Sequence, residues 1–127
     1  MKRKPALLAL SREHHKALCL AKYCKRAVQS CDSERISKAC QRAVNAFANE
    51  LAPHFKLEEQ QFLPLLQGAK TQALLLRTLS DHLQLREALT GLRQDDAGVL
   101  HSFGDLLESH VRFEERELFP ALESFMP

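Results

Sequence analysis

The stretch HVRFEERELFP, residues 110–120, has a near twin in HFKLEEQQFLP, residues 54–64. Both read His-x-x-x-Glu-Glu-x-x-x, then Leu or Phe, then Pro. Residues four apart on a helix lie one turn above each other, so His54 with Glu58, and His110 with Glu114, each present an imidazole and a carboxylate on the same side. One such pair is an ordinary feature of a solvated helix face. Two copies in the same frame are not, and each reads as half of a metal site. Two further histidines each follow an acid: Glu13-His14 in SREHHKAL and Asp81-His82 in SDHLQLR. The chain is therefore a two-fold repeat of acid-His followed by His-x-x-x-Glu.

The surrounding sequence says what carries this repeat. The chain has 127 residues and a mass of 14.4 kDa, the length of a single domain, expected to span 1–127 with residues 1–5 loose. Leu, Ala, Glu, Lys, Gln and Arg dominate, only four glycines interrupt them, and no alternating β-branched run occurs, so the fold class is all-α. Ser11 is placed to cap a first helix ending near Ser30. Asp32 or Ser33 is placed to cap a second, reaching Gln67 with Gly68 as its stop. A third runs from Lys70 to Gln94, and a fourth, after a turn at Asp95, Asp96 and Gly98, ends near Glu123. Short connections favour an antiparallel up-down-up-down four-helix bundle. Pro53, inside the second helix, removes the hydrogen bond to the carbonyl of Asn49 and predicts a kink just before His54.

Helix rise then tests whether the histidines meet. His14 to the end of its helix spans roughly 24 Å, and the start of the second helix to His54 roughly 31 Å; the matching lengths in the other half are about 18 and about 20 Å. Within the slack of loops and the proline, all four histidines reach similar depth. His15 lies about 100° around the helix from His14 and cannot face the same layer. His14 is preferred because Glu13-His14 matches Asp81-His82. His101 and Tyr23 are out of phase with their helices' ligand positions. Glu59 and Glu115 are placed to receive ring N–H bonds or to pair with Lys56, Arg112 or Arg116. Phe47, Leu51, Phe103, Leu107 and Leu18 share the ligands' faces as core and as pocket walls.

Composition excludes several classes. Eighteen basic residues against 16 acidic give a net charge of +2 with no basic stripe, so nucleic acid is not an expected partner. The apolar run in MKRKPALLAL is too short for a signal peptide or a membrane span, which points to a cytoplasmic protein without a membrane partner. Cys19, Cys24, Cys31 and Cys40 form no C-x-x-C and read as buried small apolar groups.

Four imidazoles and two carboxylates in a bundle core are costly without a cation, because an unpaired buried carboxylate costs several kcal/mol. Glu58 and Glu114 can each bridge two ions, one oxygen to each. Mixed N and O donors suit iron, manganese or zinc, and bridging carboxylates between imidazole-bound ions suit a pair of irons best. SREHHKAL, HFKLEEQQFLP, SDHLQLR and HVRFEERELFP together make the chain resemble the hemerythrin-like, or HHE cation-binding, family over nearly its whole length. That resemblance implies a non-haem di-iron centre with an oxo or hydroxo bridge, able to react with dioxygen. It carries the ligand positions onto His14, His54, Glu58, His82, His110 and Glu114. One departure is informative: oxygen carriers of the family have a second histidine four residues after the third-helix one, where this chain has Arg86, which cannot ligate. One more coordination position is thereby left open, which argues against a dedicated reversible carrier. Three readings follow: a protein binding oxygen or a related small oxidant for sensing, scavenging or iron handling; a di-iron enzyme acting on peroxide or nitric oxide; and a structural zinc site.

Overall fold

Pro5 opens the first helix, α1 (Pro5–Gln29), where its missing N–H is harmless and its fixed φ suits the first turn. A computed structural model describes residues 3–127, and among them there are helices and turns but no strand. The start of α1 lies six residues before the expected cap at Ser11 because Arg3 and Lys4, which lead into it, are anchored. The backbone N–H of Lys4 donates to Glu123 at 2.7 Å, and the Arg3 guanidinium pairs with Glu123 at 2.8 Å and with Glu115 at 3.3 Å. Of the residues expected to be loose, Arg3 to Pro5 are thus held; Met1 and Lys2 lie outside the described residues.

Asp32 caps α2 (Ser33–Ala46), its carboxylate accepting from the N–H groups of Glu34 and Arg35. A second rod then continues through α3 (Ala52–Leu57) to a short 3-10 turn at Leu63–Leu65. The third consists of α4 (Ala69–Glu87) and, after a break at Ala88, α5 (Leu89–Leu92). Asp96 caps α6 (Ala97–Phe113), which continues into α7 (Phe119–Glu123). These four rods make the expected all-α up-down-up-down bundle.

The prolines act by widening the helical ladder ahead of them. Just before His54, where the sequence predicts a kink, the ladder widens to i→i+5 at Phe47–Leu51, and the N–H of Ala52 donates to Phe47. The same event recurs at Glu58–Phe62, where Leu63 donates to Glu58, and at Glu114–Leu118, where Phe119 donates to Glu114. In each case the next residue is proline: Pro53, Pro64 or Pro120. The proline ring crowds the carbonyl four residues back and offers no N–H, so the preceding residue reaches one carbonyl further and opens a π-turn. The closing proline of the duplicated motif therefore sets a π-turn that begins on its second conserved-in-the-repeat residue, the glutamate.

The layer of histidines lies between two apolar clusters. One contains Leu20, Cys24, Cys40, Phe47, Phe55, Leu85, Phe103 and Leu107, and the other Leu7, Leu10, Phe62, Leu63, Phe113, Leu118, Phe119 and Leu122. Close approach of α6 to α1 requires Gly104, where a Cβ would stand 3.0 Å from the carbonyl oxygen of Ala21 and 2.9 Å from Cγ of Lys25. Cys24 and Cys40 are buried as expected, but Cys19 and Cys31 are exposed, since Cys19 falls on the outer side of α1 and Cys31 in the following turn, at φ 54°. Burial first, and then neighbouring Cys40, pushes the Cys24 thiol up to about 12. No helix among the described residues is long and apolar enough to cross a membrane.

Two outcomes follow from this packing. Gly104→Val is expected to lower stability by about 1–3 kcal/mol through overpacking, whereas Gly98→Ala, whose Cβ meets only Asp96 at 3.4 Å, should not lower it; thermal unfolding of both beside wild type checks this. In native protein a thiol reagent should modify Cys19 and Cys31 rapidly and leave Cys24 and Cys40 intact until denaturant is added, as read by peptide mass mapping.

Candidate metal centre

Six buried ionisable side chains meet at mid-bundle: His14 from α1, His54 from α3, His82 from α4, His110 from α6, and Glu58 and Glu114 from the first positions of their π-turns. All six sequence-assigned residues are brought together, in two overlapping groups. His14, His54, Glu58 and Glu114 offer ligand atoms within 4.8 Å of one another, and so do His82, His110, Glu58 and Glu114. The glutamates belong to both groups.

Their oxygens are divided between the histidine pairs. Glu58 sets Oε2 3.2 Å from Nε2 of His54 and Oε1 3.1 Å from Nε2 of His82. Glu114 sets Oε1 2.8 Å from Nε2 of His14 and Oε2 3.3 Å from Nε2 of His110. Oε2 of Glu58, Oε2 of Glu114 and Nε2 of His110 have no hydrogen-bond partner despite these distances. They converge on shared space and are not aimed along one another, an arrangement that costs free energy unless something between them accepts all three.

The other nitrogen of every ring is fixed by a carboxylate. Nδ1 of His14 meets Glu115 at 2.5 Å, Nδ1 of His54 meets Glu13 at 2.8 Å, Nδ1 of His82 meets Glu59 at 2.7 Å, and Nδ1 of His110 meets Asp81 at 2.9 Å. Each carboxylate holds the proton on Nδ1 and leaves Nε2 to face the centre. The pattern obeys the repeat. Glu13 and Asp81, the acids before His14 and His82, serve the second histidine of their own half; Glu59 and Glu115, the acids after Glu58 and Glu114, serve the first histidine of the other half. Sequence reasoning anticipated Glu59 and Glu115 but assigned no bond to Glu13 or Asp81, although the repeated acid-His dipeptide was the signal for it. Nor do Lys56, Arg112 and Arg116 steady Glu115; that falls to Ser11, at 2.8 Å, and to Arg3.

Electrostatics reflect an excess of carboxylates. Burial raises the Glu58 pKa, and neighbouring Glu114 raises it further. Burial pushes Glu114 the same way, but His110, His14 and His54 outweigh it and the net shift is down. His110 is raised to about 10, because Glu114, Asp81 and Glu58 overcome the effect of burial. His82, whose ring lies 5.0 Å from that of His110, is lowered to about 4, first by burial and then by His110 itself. Six carboxylates thus surround four imidazoles, and the donor set fits cations: two imidazole nitrogens and two carboxylate oxygens on each side, with each glutamate supplying both sides.

The two sides differ in access. Phe55, the residue after His54, stacks on His82 at 4.0 Å. Its counterpart after His110 is the smaller Val111, which lines a cavity of about 410 Å³ that opens between α1 and the second rod and reaches His14, His54 and His110. Leu51 and Leu107 line it as expected, whereas Phe47 and Phe103 lie in the core away from it. His15 is exposed on the cavity rim, and His101 is exposed beside Asp105. Tyr23 lies under the guanidinium of Arg42. Arg86 is exposed, while Leu85 fills the inward position of α4, so the helix offers no donor after His82.

A helical bundle with such a buried cluster defines a cation-binding protein. Residues 6–122 match the family model described as the hemerythrin HHE cation binding domain, and the chain belongs to that family. No curated protein and no solved structure matches it at a significant level.

The Nδ1 contacts generate a specific expectation. Asp81→Asn, which keeps size but removes the charge on His110, should weaken cation binding about 10–100-fold with the bundle intact, as read by metal titration alongside circular dichroism.

Proposed function

We propose that the chain holds two iron ions through His14, His54, Glu58, His82, His110 and Glu114, joined by an oxo or hydroxo bridge, and binds dioxygen or a related small oxidant for sensing, scavenging or iron handling. The observation that carries this reading is the division of oxygens: each glutamate presents one oxygen to the His14/His54 pair and the other to the His82/His110 pair. A site for a single structural zinc has no use for two carboxylates so shared, or for four histidines in opposed pairs. Bound iron would supply electron transfer to the oxidant.

The chain's own residues do the rest. Glu13, Glu59, Asp81 and Glu115 fix the ring tautomers and orientations and raise the basicity of the Nε2 donors. Phe55 against His82 and Phe119 against His14, at 5.1 Å, wall the rings in apolar contact and keep water from those faces. The cavity beside His14 and His54 gives a small oxidant its approach. The second reading, turnover of peroxide or nitric oxide, is supported by one feature: with Arg86 exposed and Leu85 inward, each side has only two imidazoles, so an exogenous ligand has room at the centre. A cytoplasmic location belongs to the same proposal, and the four unpaired thiols suit a reducing compartment.

Protein purified without added metal should contain about two irons per chain and absorb in the near ultraviolet in air. Glu58→Ala or Glu114→Ala should lose both equivalents together, whereas Glu59→Ala should lower affinity and still load fully with excess iron. Stoichiometric zinc in native protein, or loss of a single equivalent in Glu58→Ala, would overturn the shared-carboxylate assignment.

A further inference from the structure

The cavity beside the cluster is larger than a small oxidant requires. A diatomic molecule occupies about the space of one water, whose share of liquid volume is roughly 30 Å³; the cavity measures about 410 Å³, within the range of roughly 300–1,000 Å³ typical of organic-ligand sites. Its inner wall is apolar, formed by Leu20, Leu51, Phe55, Leu107 and Val111. Its outer part carries Lys16 and Arg42. Every lysine or arginine ion pair among the described residues is made by Arg3, Lys25, Lys38, Arg77 or Arg112, so both cations at the rim are free of carboxylate partners. Arg42 is steadied by the Tyr23 ring, whose centroid lies 4.5 Å from the guanidinium carbon. Of the carboxylates on the lining, Glu13 is engaged by His54, and Glu50 stands exposed at the rim.

The cavity reaches His14, His54 and His110 but not His82. Phe55 covers the ring of His82, Phe119 covers that of His14, and Phe55 and Val111 both stand on the cavity's apolar wall. We propose that this cavity binds an amphipathic organic anion, its chain against the apolar wall beside His14 and His54 and its anionic head at the rim that carries Lys16 and Arg42. This inference names a ligand class for the proposed di-iron site and rests on that reading for any reactivity of the bound molecule; the binding itself rests on the cavity.

The probe is octanoate, titrated calorimetrically into the full chain, metal-free and iron-loaded, with octanol and octyltrimethylammonium as comparators. Octanoate should bind about tenfold more tightly than octanol, the weight of one charge-assisted hydrogen bond, and octyltrimethylammonium should be weakest. Lys16→Gln with Arg42→Gln should erase the preference over octanol. Val111→Phe, or Ala46→Leu at the half-buried edge of the cavity should the first fail to fold, should abolish binding of both. Metal analysis of the same samples separates the two readings: octanoate binding to protein that takes up no iron leaves this inference standing and removes the di-iron assignment, and two irons without octanoate binding does the reverse. Equal affinity for octanoate and octanol, or binding unaffected by the filling variants, would overturn the proposal.

Discussion

Glu58 and Glu114 are fully buried, and everything else at mid-bundle answers to that fact. A carboxylate removed from water must be paired, neutralised or ligated. The bundle surrounds the two with four imidazoles, and each imidazole is backed by a further carboxylate nearer the surface. Negative charge is thus arranged in two shells with nitrogen between them. The outer carboxylates raise the electron density of the rings, the rings face the inner carboxylates, and three inner atoms remain without a hydrogen bond. A cation-binding protein needs this polarity, which a core designed for stability alone would replace with leucine.

Much of this was legible in the sequence, and for identifiable reasons. His54 with Glu58 and His110 with Glu114 obey the helical period, Asp32 is a strong cap, and helix rise alone places the four histidines at one depth. The exposure of Arg86 was not foreseen, because a position four residues after His82 lies only about 40° around the helix from it. The start of α1 was missed because Arg3 and Lys4 depend on Glu115 and Glu123, more than a hundred residues away. Two cysteines were misassigned to the core for a similar reason: composition gives the tendency of a thiol to be buried, while the side of the helix it occupies is set by the neighbour that packs there.

The duplication is also informative where it fails. The caps at Asp32 and Asp96, the π-turns at Glu58 and Glu114 and the four ring-to-carboxylate bonds recur in both halves, but the π-turn at Phe47–Leu51 has no counterpart among the described residues, and Phe55 and Val111 do not match. The cavity reaches His14 and His54 but not His82, so two chemically similar half-sites face different surroundings.

The π-turns set a limit on how the sequence can vary in length. In a regular α-helix a residue five positions on lies about 140° around the axis, yet Phe119, five after Glu114, stacks on His14 on the same side of its rod. Each widened turn therefore contains the equivalent of one inserted residue, and the proline that follows keeps it from being annealed away. Removing any single residue between Glu58 and Phe62, or between Glu114 and Leu118, would return the rod to α phase and rotate all that follows by about 100°, carrying Leu63 or Phe119 out of the apolar cluster. The spacing from glutamate to proline is thus a fixed gauge, able to accept substitutions but not insertions or deletions.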